Sequence, residues 1–381
     1  MSGFAFLSDP ALLQLFAALP GARVVGGAVR DALAGRPIAD FDLATPDPPS
    51  TVIARLAGAG LKAVPTGLAH GTVTALAAAR AVEITTLRRD ISTDGRHAIV
   101  DFTDDWRQDA ARRDFTINAM SVGQDGVLHD YFDGAADLRA GRVRFVGVAA
   151  ARVAEDYLRI LRFFRFFARY GSGAPDEDAV RAIAAGRDRI AMLSVERVWR
   201  EVRRLLTAPE PLDALRLMER IGVLATILPE GADIGPLAAL LGRGAPAAPL
   251  LRLTALVAGD AEALAQRWKL STAECDHLLA LRAAPPLPAD TDDAAIRRAL
   301  ADTPAAVLIG RAWLGHGDTT LIARIAATEA PVFPLHGRDL AALGMGAGPA
   351  MGARLRALRA WWLAGGCVAD AAAILHYARS A

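Results

Sequence analysis

The stretch GGAVRDALAGRPIADFDLAT, residues 26–45, decides how the N-terminal part of this chain is interpreted. It overlaps RVVGG, residues 23–27, which predicts a strand ending in glycines. Gly26 and Gly27 therefore lie between a strand and a helix, where backbone amides and a helix N-terminus can hold a triphosphate. Arg30 follows one turn later and can reach the same anion. A tight turn without a ligand would contain the same two glycines, so this feature alone leaves both interpretations open.

Two carboxylates stand close together in the second half of the stretch. Asp40 and Asp42 are two residues apart in the β-type run 38–44. Since side chains alternate along a strand, both carboxylates are expected on one face, where they repel each other unless a cation lies between them. Mg²⁺ is the expected cation, because it prefers hard oxygen ligands. Glu83, in VEITTLRRD (82–90), is a candidate auxiliary carboxylate, although an exposed strand glutamate is the plainer interpretation. Asp-x-Asp is common on surface strands, so the metal site is a hypothesis that depends on its context.

The segments around this stretch predict an α+β fold. Short β-type and helical runs alternate up to about residue 145, which is typical of helices packed around a small mixed sheet. From about residue 149 the β signal fades, and Ala/Leu/Arg helical patterns continue to the end. The predicted elements of the first part are strands at 23–27 and 38–44, helices after Asp9, at 28–35 and at 51–57, and a hairpin of 72–78 and 81–87.

Composition limits the classes of protein to which the chain can belong. Its 381 residues are 53% hydrophobic and 22% charged, which is typical of a folded protein of two or three domains. The net charge of +1 excludes a uniformly basic nucleic-acid coat but allows a local basic groove, and all 43 basic residues except Lys62 and Lys269 are arginines. Cys275 and Cys367 lie far apart, which argues against a disulfide framework or a zinc site. Since we find no signal peptide and no long apolar run, we expect a cytoplasmic protein without membrane contact.

RRDFTINAM, residues 112–120, offers a second group of polar side chains. Arg112 and Arg113 are suited to phosphates because guanidinium groups bind them bidentately. Asp114 can accept a hydrogen bond from a ribose hydroxyl, and Asn118 can position a polar group. The two arginines are equally compatible with a solvated helix end, so the segment by itself does not decide between these roles.

EDYLRILRFFRF, residues 155–166, predicts an amphipathic helix with a charged face. On a helix, Asp156 and Arg159 are three residues apart and therefore neighbours. Arg162 and, less well aligned, Arg165 extend the same face. Taken in isolation, this pattern is most simply an i,i+3 salt bridge on a packed helix.

Together these segments resemble the signature of the polymerase-β-like nucleotidyltransferase superfamily, in the form found in class II tRNA nucleotidyltransferases and bacterial poly(A) polymerases. The resemblance implies that Asp40 and Asp42 hold two Mg²⁺ ions. One would activate the RNA 3′-hydroxyl for attack on the α-phosphate, and the other would stabilise the pyrophosphate leaving group. The residues that it implies for nucleotide binding are Gly26, Gly27, Arg30, Arg113, Asp114, Asn118, Asp156, Arg159, Arg162 and Arg165.

The resemblance also assigns a role to the EDxxRxxRxxRF pattern, as a template made of protein. Asp156 and Arg159 would hydrogen-bond the Watson–Crick edge of the incoming CTP or ATP. A carboxylate accepts from the exocyclic amino group that cytosine and adenine both carry, and arginine donates to N3 of cytosine or N1 of adenine. Uracil and guanine present a carbonyl at the position of that amino group, so UTP and GTP should be excluded.

Further matches imply the domain organisation. DGAADLRAGRVR (133–144) is similar to the third motif of the family, SVERVWREVRRLL (194–206) to the fifth, and 335–358 to the tail of bacterial class II enzymes. We expect a polymerase-β-like head with a small mixed sheet, followed by all-helical parts. The predicted domains are a catalytic head at 1–145, a neck with the nucleotide-selecting site at 146–206, a body at 207–330 and a tRNA-binding tail at 331–381.

Three activities share this signature: addition of the complete CCA end to tRNA, partial addition of CC or A, and poly(A) synthesis. We favour CCA addition because DISTDGRHAIVDF (90–102) predicts a glycine-containing loop, and in the family a flexible loop here permits the switch from CTP to ATP. Poly(A) polymerase is the alternative. A non-catalytic RNA-binding homologue is a further possibility, against which the intact Asp40 and Asp42 argue. The expected substrates are CTP and ATP and the expected partner is tRNA, with no protein partner predicted.

Overall fold

The computed structural model describes residues 4–93 and 98–380 and divides the chain into two compact units. Unit 1 is Met1–Pro229 and unit 2 is Glu230–Ala381. Unit 1 combines a sheet with helices, and the secondary structure described in unit 2 is helical apart from one isolated β-bridge. The α+β class predicted from the sequence is confirmed, whereas the division into head, neck, body and tail remains a prediction.

A mixed sheet forms the centre of the first part of unit 1. Its strand order is β3-β4-β5-β2-β1-β8-β9, while β6 and β7 form a separate antiparallel pair. In the larger sheet β2 and β5 run parallel, and the other neighbours are antiparallel. The strands are β1 Arg23–Val25, β2 Asp42–Thr45, β3 Lys62–Gly67, β4 Thr72–Ala77, β5 Arg80–Thr86, β6 Arg88–Thr93, β7 Ala98–Phe102, β8 Met120–Gly123 and β9 Leu128–Asp130.

Helices surround this sheet and continue beyond it to the end of unit 1. The predicted cap of the first helix is present, since the Asp9 carboxylate accepts a hydrogen bond of 2.9 Å from the Ala11 amide and Pro10 occupies the first turn. The helices are α1 Pro10–Ala18, α2 Gly27–Leu33, α3 Pro49–Gly58, α4 Trp106–Ala111, α5 Gly134–Arg139, α6 Ala149–Glu155, α7 Leu158–Tyr170, α8 Glu177–Gly186, α9 Val195–Leu206, α10 Leu212–Arg220 and α11 Val223–Ile227.

The core of the sheet domain lies between the sheet and helices α1 and α3. Burial alternates along β4, where Val73, Ala75 and Ala77 are buried, as the period of two requires. These side chains pack against Leu12 of α1 and Leu56 of α3, which are both fully buried. Burying one such aliphatic side chain stabilises the fold by about 1.5–3 kcal/mol. The core therefore stabilises the sheet whose strand β2 begins at Asp42.

The second predicted strand is shorter than expected. The run 38–44 was predicted to be extended throughout, but β2 begins only at Asp42, which leaves Asp40 in the segment before it. The reason is the length of its neighbour, because the last pair between β1 and β2 joins Val25 to Asp42. At the next residue, Gly26, the backbone turns away with φ +66° and α2 begins.

The predicted loop at 90–102 is wrong over most of its length. Residues 88–93 and 98–102 pair as strands β6 and β7, with a register shift between Asp90 and Ser92. Residues 94–97, which contain the turn-prone Asp94, Gly95 and Arg96, lie outside the described residues. Strands β3 and β8 were also missed, since β3 is mostly exposed, β8 is short, and neither shows a clear apolar alternation.

An aromatic cluster attaches α7 to the sheet domain. Phe163 of α7 is fully buried, and its ring centroid lies 6.1 Å from that of Phe145. Phe145 in turn contacts Phe115, with a centroid separation of 4.8 Å. Since Phe115 belongs to the RRDFTINAM segment, this packing brings the second motif and the charged face of α7 next to each other.

Unit 2 has helical cores of its own. One is formed by Ile296, Leu308 and Ile325, and another by Leu340 and Trp362 with their neighbours. No helix in the part of the chain that the structure describes is long and apolar enough to cross a lipid bilayer. The helices are α12 Ile234–Gly242, α13 Pro249–Leu256, α14 Ala261–Arg267, α15 Thr272–Arg282, α16 Asp293–Leu300, α17 Ala305–Leu314, α18 Thr319–Ala327, α19 Gly337–Ala341, α20 Pro349–Ala364 and α21 Ala371–Ser380.

Candidate active site

A cleft of about 610 Å³ in unit 1 gathers most of the residues that were predicted for the site. Asp40 lies next to the cleft, within electrostatic reach of Asp42. Arg165 is absent from the lining, while five residues that were not among the predicted ligands belong to it: Arg88, Arg112, Leu158, Phe166 and Arg197. The predicted residues that line the cleft are Gly26, Gly27, Arg30, Asp42, Arg113, Asp114, Asn118, Asp156, Arg159 and Arg162.

The glycine pair allows a close approach between backbone and guanidinium. Gly26 has a positive φ of +66°, which other residues rarely adopt. A Cβ atom on Gly26 would lie 3.1 Å from Nη1 of Arg113. That guanidinium also donates to the Asn118 carbonyl at 3.3 Å, and so it is held across the start of α2. The glycine is therefore required by the tight packing of the site as well as by the turn.

Three carboxylates meet at the edge of the cleft. Asp42 at the start of β2 lies in parallel register beside Glu83 of β5, and Asp40 precedes it by two residues. Partial removal from solvent raises the pKa of Asp42 above its ordinary value, and the negative charges of Glu83 and Asp40 add to this effect while Arg113 opposes it. Glu83 is exposed, as the plainer interpretation expected, and its charge acts on Asp42.

These acidic side chains fit a hard divalent cation. Carboxylate oxygens are the donors that Mg²⁺ prefers, and burial together with the charges of Glu83 and Asp40 raises the pKa of Asp42, so a cation beside it would stabilise its ionised form. Within the described residues, no three His, Cys, Asp or Glu side chains are close enough together to form a complete metal cage. Mg²⁺ commonly binds through one or two carboxylates and completes its coordination with water and substrate phosphates, so the Asp40 and Asp42 pair is sufficient.

Asp109 organises the basic wall of the cleft and was not predicted from the sequence. Its buried carboxylate accepts from Arg112 at 2.8 Å and from Arg113 at 3.2 Å, and it also accepts from the Arg88 amide at 3.3 Å. Although burial alone would raise the pKa of Asp109, the positive charges of Arg113 and Arg112 lower it. The spacing of Asp109 from the two arginines, i,i+3 and i,i+4, was the available signal.

A chain of polar contacts joins α2 to α7 across the cleft. Arg30 donates to the Asn118 side-chain oxygen at 2.5 Å, and the Asn118 amide donates to Asp114 at 3.0 Å. The other oxygen of Asp114 accepts from Nε of Arg162 at 2.6 Å. Burial opposes ionisation of Asp114, but the Arg162 charge and these hydrogen bonds lower its pKa. Asp114 is therefore a charged group that links the second motif to α7.

The predicted neighbours Asp156 and Arg159 do not pair with each other. Asp156 precedes α7 in an extended conformation, with φ −154°, because the chain breaks between α6 and α7. Its carboxylate accepts from the Leu158 amide at 3.0 Å and from Arg197 at 2.7 Å. Arg159 instead donates to the Arg152 carbonyl at 3.0 Å and forms an ion pair with Glu155. The expectation that both lie on one helix is wrong, although both line the same cleft.

Arg165 lies outside the lining of the cleft and pairs with a buried glutamate. Its Nε lies 2.5 Å from the buried Glu201 carboxylate, and its guanidinium stacks 4.0 Å from the centroid of the Phe166 ring. Burial lowers the pKa of Arg165, and Glu201 opposes that effect. Arg165 thus joins α7 to α9 and does not reach the described lining of the cleft. Arg197, which belongs to the segment similar to the fifth motif and was not among the predicted ligands, lines the cleft.

Comparisons with known proteins cover both units. Residues 22–144 match the model of the poly A polymerase head domain, and residues 174–234 match that of the probable RNA and SrmB-binding site of polymerase A. The chain is 36% identical to CCA tRNA nucleotidyltransferase 1, mitochondrial, of Mus musculus over 374 residues, which cover 93% of this chain and 86% of the mouse protein.

The corresponding protein of Danio rerio is also 36% identical, over 89% of this chain and 83% of its own length. The structure is similar to the crystal structure of the Bacillus stearothermophilus CCA-adding enzyme in complex with CTP, with a TM-score of 0.76 and 28% sequence identity. That similarity extends over 94% of this chain and 93% of the other.

Proposed function

Because this chain belongs to the family of CCA tRNA nucleotidyltransferases, we propose that it adds C, C and A to the 3′ end of tRNA, using CTP and ATP without a nucleic-acid template. The observation that carries the proposal is 36% identity to an enzyme of that name over 93% of the chain. The cleft adds chemical support, since Asp42 lines it together with several arginines that suit a triphosphate.

In this proposal the acidic edge and the basic wall of the cleft have separate tasks. Asp40 and Asp42 would hold two Mg²⁺ ions, which supply Lewis acidity at the α-phosphate and at the leaving group when they are bound. Arg113, fixed by Asp109, and Arg30, fixed by Asn118, would bind the triphosphate. Both guanidiniums are held by buried partners, so little side-chain freedom is lost when phosphate binds.

Base selection is assigned to Asp156 and Arg159. Asp156 is held by Arg197 and by the Leu158 amide, and a carboxylate oxygen has a further lone pair for the amino group of cytosine or adenine. Arg159 is held by the Arg152 carbonyl and keeps other N–H donors for the ring nitrogen. The two side chains are positioned by different partners, which supports a preformed edge that is selective for an amino group.

The tRNA-binding role of residues 331–381 is also a proposal. Basic side chains of α20, including Arg354 and Arg356, follow the glycines of that segment, and arginine is suited to contacts with RNA phosphates. The division into a head at 1–145, a neck at 146–206 and a body at 207–330 remains part of the same proposal. So does the cytoplasmic location.

Poly(A) polymerase is the alternative activity, supported by the names of the two family models. The test is to incubate the protein and Mg²⁺ with tRNA transcripts that end before CCA, after C, and after CC, offering each nucleoside triphosphate separately. We expect C addition only to the first two transcripts and a single A on the third. Long A tails on every transcript would favour poly(A) synthesis, and no incorporation by an intact, tRNA-binding protein would favour the non-catalytic homologue.

A further inference from the structure

Unit 1 contains a second cleft, of about 470 Å³, outside the lining of the candidate active site. We call it the rear cleft. It is formed where the end of α2, the end of α5 and the end of α7 come together. Its charged lining residues are Arg36, Arg139, Arg169 and Glu210, so three positive charges stand against one negative charge.

The arginines of the rear cleft are not neutralised by carboxylates. In the described part of the chain, none of the three forms an ion pair, and Arg139 has no hydrogen-bond partner either. Arg36 donates to the Arg169 carbonyl at 2.7 Å, and Arg169 donates through Nε to the Tyr170 hydroxyl at 3.1 Å. Most charged arginines around the active site, in contrast, have a carboxylate within hydrogen-bond distance. The rear cleft therefore keeps an uncompensated positive charge.

The rest of the rear cleft is apolar and aromatic. Leu33, Leu138 and Ala168 form part of its wall. The buried Tyr170 ring lies 5.1 Å from the Arg36 guanidinium, which stacks over it. A wall with apolar surface and cationic groups suits a ligand with a flat or hydrophobic body and a phosphate, because the apolar part is removed from water and the anion binds arginine.

Tyr170 also connects the rear cleft to the active site. Its hydroxyl donates to Asp31, and Asp31 pairs with Arg30 at 3.1 Å. The Arg30 guanidinium lies 4.6 Å from the centroid of the same ring. Since Arg30 also holds Asn118 in the candidate active site, a ligand on Arg36 and a ligand on Arg30 would both act on the Tyr170 ring.

We propose that the rear cleft is a second phosphate-binding site, distinct from the active site, which takes the phosphate of a free nucleotide or of the RNA backbone. The uncompensated charge of Arg36, Arg139 and Arg169 provides the binding, and the apolar wall accommodates the ribose or base next to the phosphate. This inference goes beyond the proposed function, because it concerns binding and does not depend on which nucleotide the active site adds.

The test uses Arg139→Glu, with Arg220→Glu as the matched control. Both arginines are exposed, lie in the last turn of a helix and have no carboxylate partner in the described residues, so the two reversals change charge and helix electrostatics alike. Arg220 lies outside the lining of the rear cleft. Arg139→Lys keeps the positive charge and shows whether a loss reflects charge or disturbed folding.

Equilibrium dialysis with labelled ATP distinguishes the first source of phosphate. If a free nucleotide binds, the wild type, Arg139→Lys and Arg220→Glu bind two ATP molecules per chain, and Arg139→Glu binds one over the same concentration range. Titration of a tRNA transcript at several salt concentrations distinguishes the second source. If RNA binds, Arg139→Glu weakens binding about tenfold relative to Arg220→Glu and lowers the salt slope by about one or more.

Either result supports the rear cleft as a phosphate site, and the two results identify its source. The proposal is overturned if Arg139→Glu and Arg220→Glu bind ATP with equal stoichiometry and tRNA with equal affinity and salt slope. It is also overturned if Arg139→Lys loses binding as completely as Arg139→Glu. Since these measurements need no turnover, a failure of CCA addition leaves their outcome unchanged.

Discussion

At the scale of single residues, the proposed metal ligand Asp42 lies in surroundings that oppose its ionised form. Burial raises its pKa, and the like charges of Glu83 and Asp40 add to this effect. A group whose pKa is raised by folding stabilises the fold when it is protonated, and that contribution is lost as pH rises through the folded-state pKa. Near neutral pH and without a cation, the ionised Asp42 therefore lowers the stability of the fold.

We predict that Asp42→Asn abolishes nucleotide incorporation, leaves tRNA binding intact and does not lower the melting temperature in the presence of a chelator. Added Mg²⁺ should raise the melting temperature of the wild type and not that of the variant, because only the wild type binds the ion at this site. Asp290→Asn, which changes an exposed aspartate in unit 2, is the control and should behave as wild type. Near-normal turnover of Asp42→Asn with Mg²⁺ would exclude the metal assignment, and the same expectation applies to Asp40→Ala.

A second prediction concerns the pair that selects the base. Asp156→Ala should lower kcat/KM with CTP and ATP far more than with UTP and GTP, by about one to two powers of ten, because a hydrogen bond to a charged group contributes about 1.5–3 kcal/mol. Arg159→Ala should act similarly, and the double variant should be little worse than either single one. The measurement is kcat/KM for all four nucleotides on one tRNA acceptor.

The structure adds a competing explanation that the same experiment separates. Asp156 holds Arg197 at 2.7 Å, so its removal also leaves an arginine without its carboxylate. If the role of Asp156 were only to anchor Arg197, every nucleotide would slow by the same factor. Flattened discrimination identifies base recognition.

At the scale of elements, the β6–β7 pair begins at the cleft. Arg88, the first residue of β6, lines the cleft, and the Thr103 amide after β7 donates to the Leu87 carbonyl at 3.0 Å. The resemblance to the family implies that the glycine-containing segment 90–102 adjusts the site between CTP and ATP. Since residues 94–97 lie outside the described residues, this role stays a prediction.

We predict that deletion of residues 93–97 leaves the addition of CC largely intact and suppresses the addition of the terminal A. Replacement of the same five residues by a Gly/Ser segment of equal length is the control for chain connectivity. Gel analysis of products from a transcript ending before CCA gives both steps in one assay. Equal loss of both steps in the deletion would mean that the segment serves folding in general.

One helix end and one strand end show how interrupted elements shape the cleft. The break between α6 and α7 places Asp156 in extended backbone, where its carboxylate reaches both the Leu158 amide and Arg197. A continuous helix would instead place it one turn from Arg159. Likewise, the early end of β1 at Val25 leaves Gly26 free to turn into α2 beside Arg113.

At the scale of the whole molecule, all lining residues of both clefts belong to unit 1. We predict that a fragment of residues 1–229 folds cooperatively and binds CTP with an affinity within a few fold of that of the full chain. Its affinity for tRNA should fall by roughly tenfold or more, because the proposed phosphate contacts of the tail are missing.

Circular dichroism, a CTP titration and a tRNA titration check these three expectations. A fragment that binds tRNA as tightly as the full chain would contradict the proposed role of residues 331–381. A folded fragment that does not bind CTP would contradict the location of the nucleotide site.

The sequence by itself determined those features that depend on neighbours along the chain. The cap at Asp9, the hairpin of β4 and β5 and the arrangement of the second motif depend on spacings of a few residues, and such spacings are set by the periods of helix and strand. The family motifs extended this to the mixed sheet and the helical remainder. The predicted elements at 38–44 and 90–102 were wrong because a local sequence pattern does not show which strand a segment pairs with.

Only the tertiary structure decided which charged groups are used together. Asp114 meets Arg162 across 48 residues, Asp156 meets Arg197 across 41, and Arg165 meets Glu201 across 36. An arginine looks the same in sequence whether it faces a ligand or a buried carboxylate, because the choice depends on which helix packs against it. Burial then makes each pairing strongly preferred, since a charge removed from water is costly without a partner. For that reason the predicted Arg165 lies outside the lining of the cleft and Arg197 lies within it. The arginines of the rear cleft could likewise be recognised only once their surroundings were known.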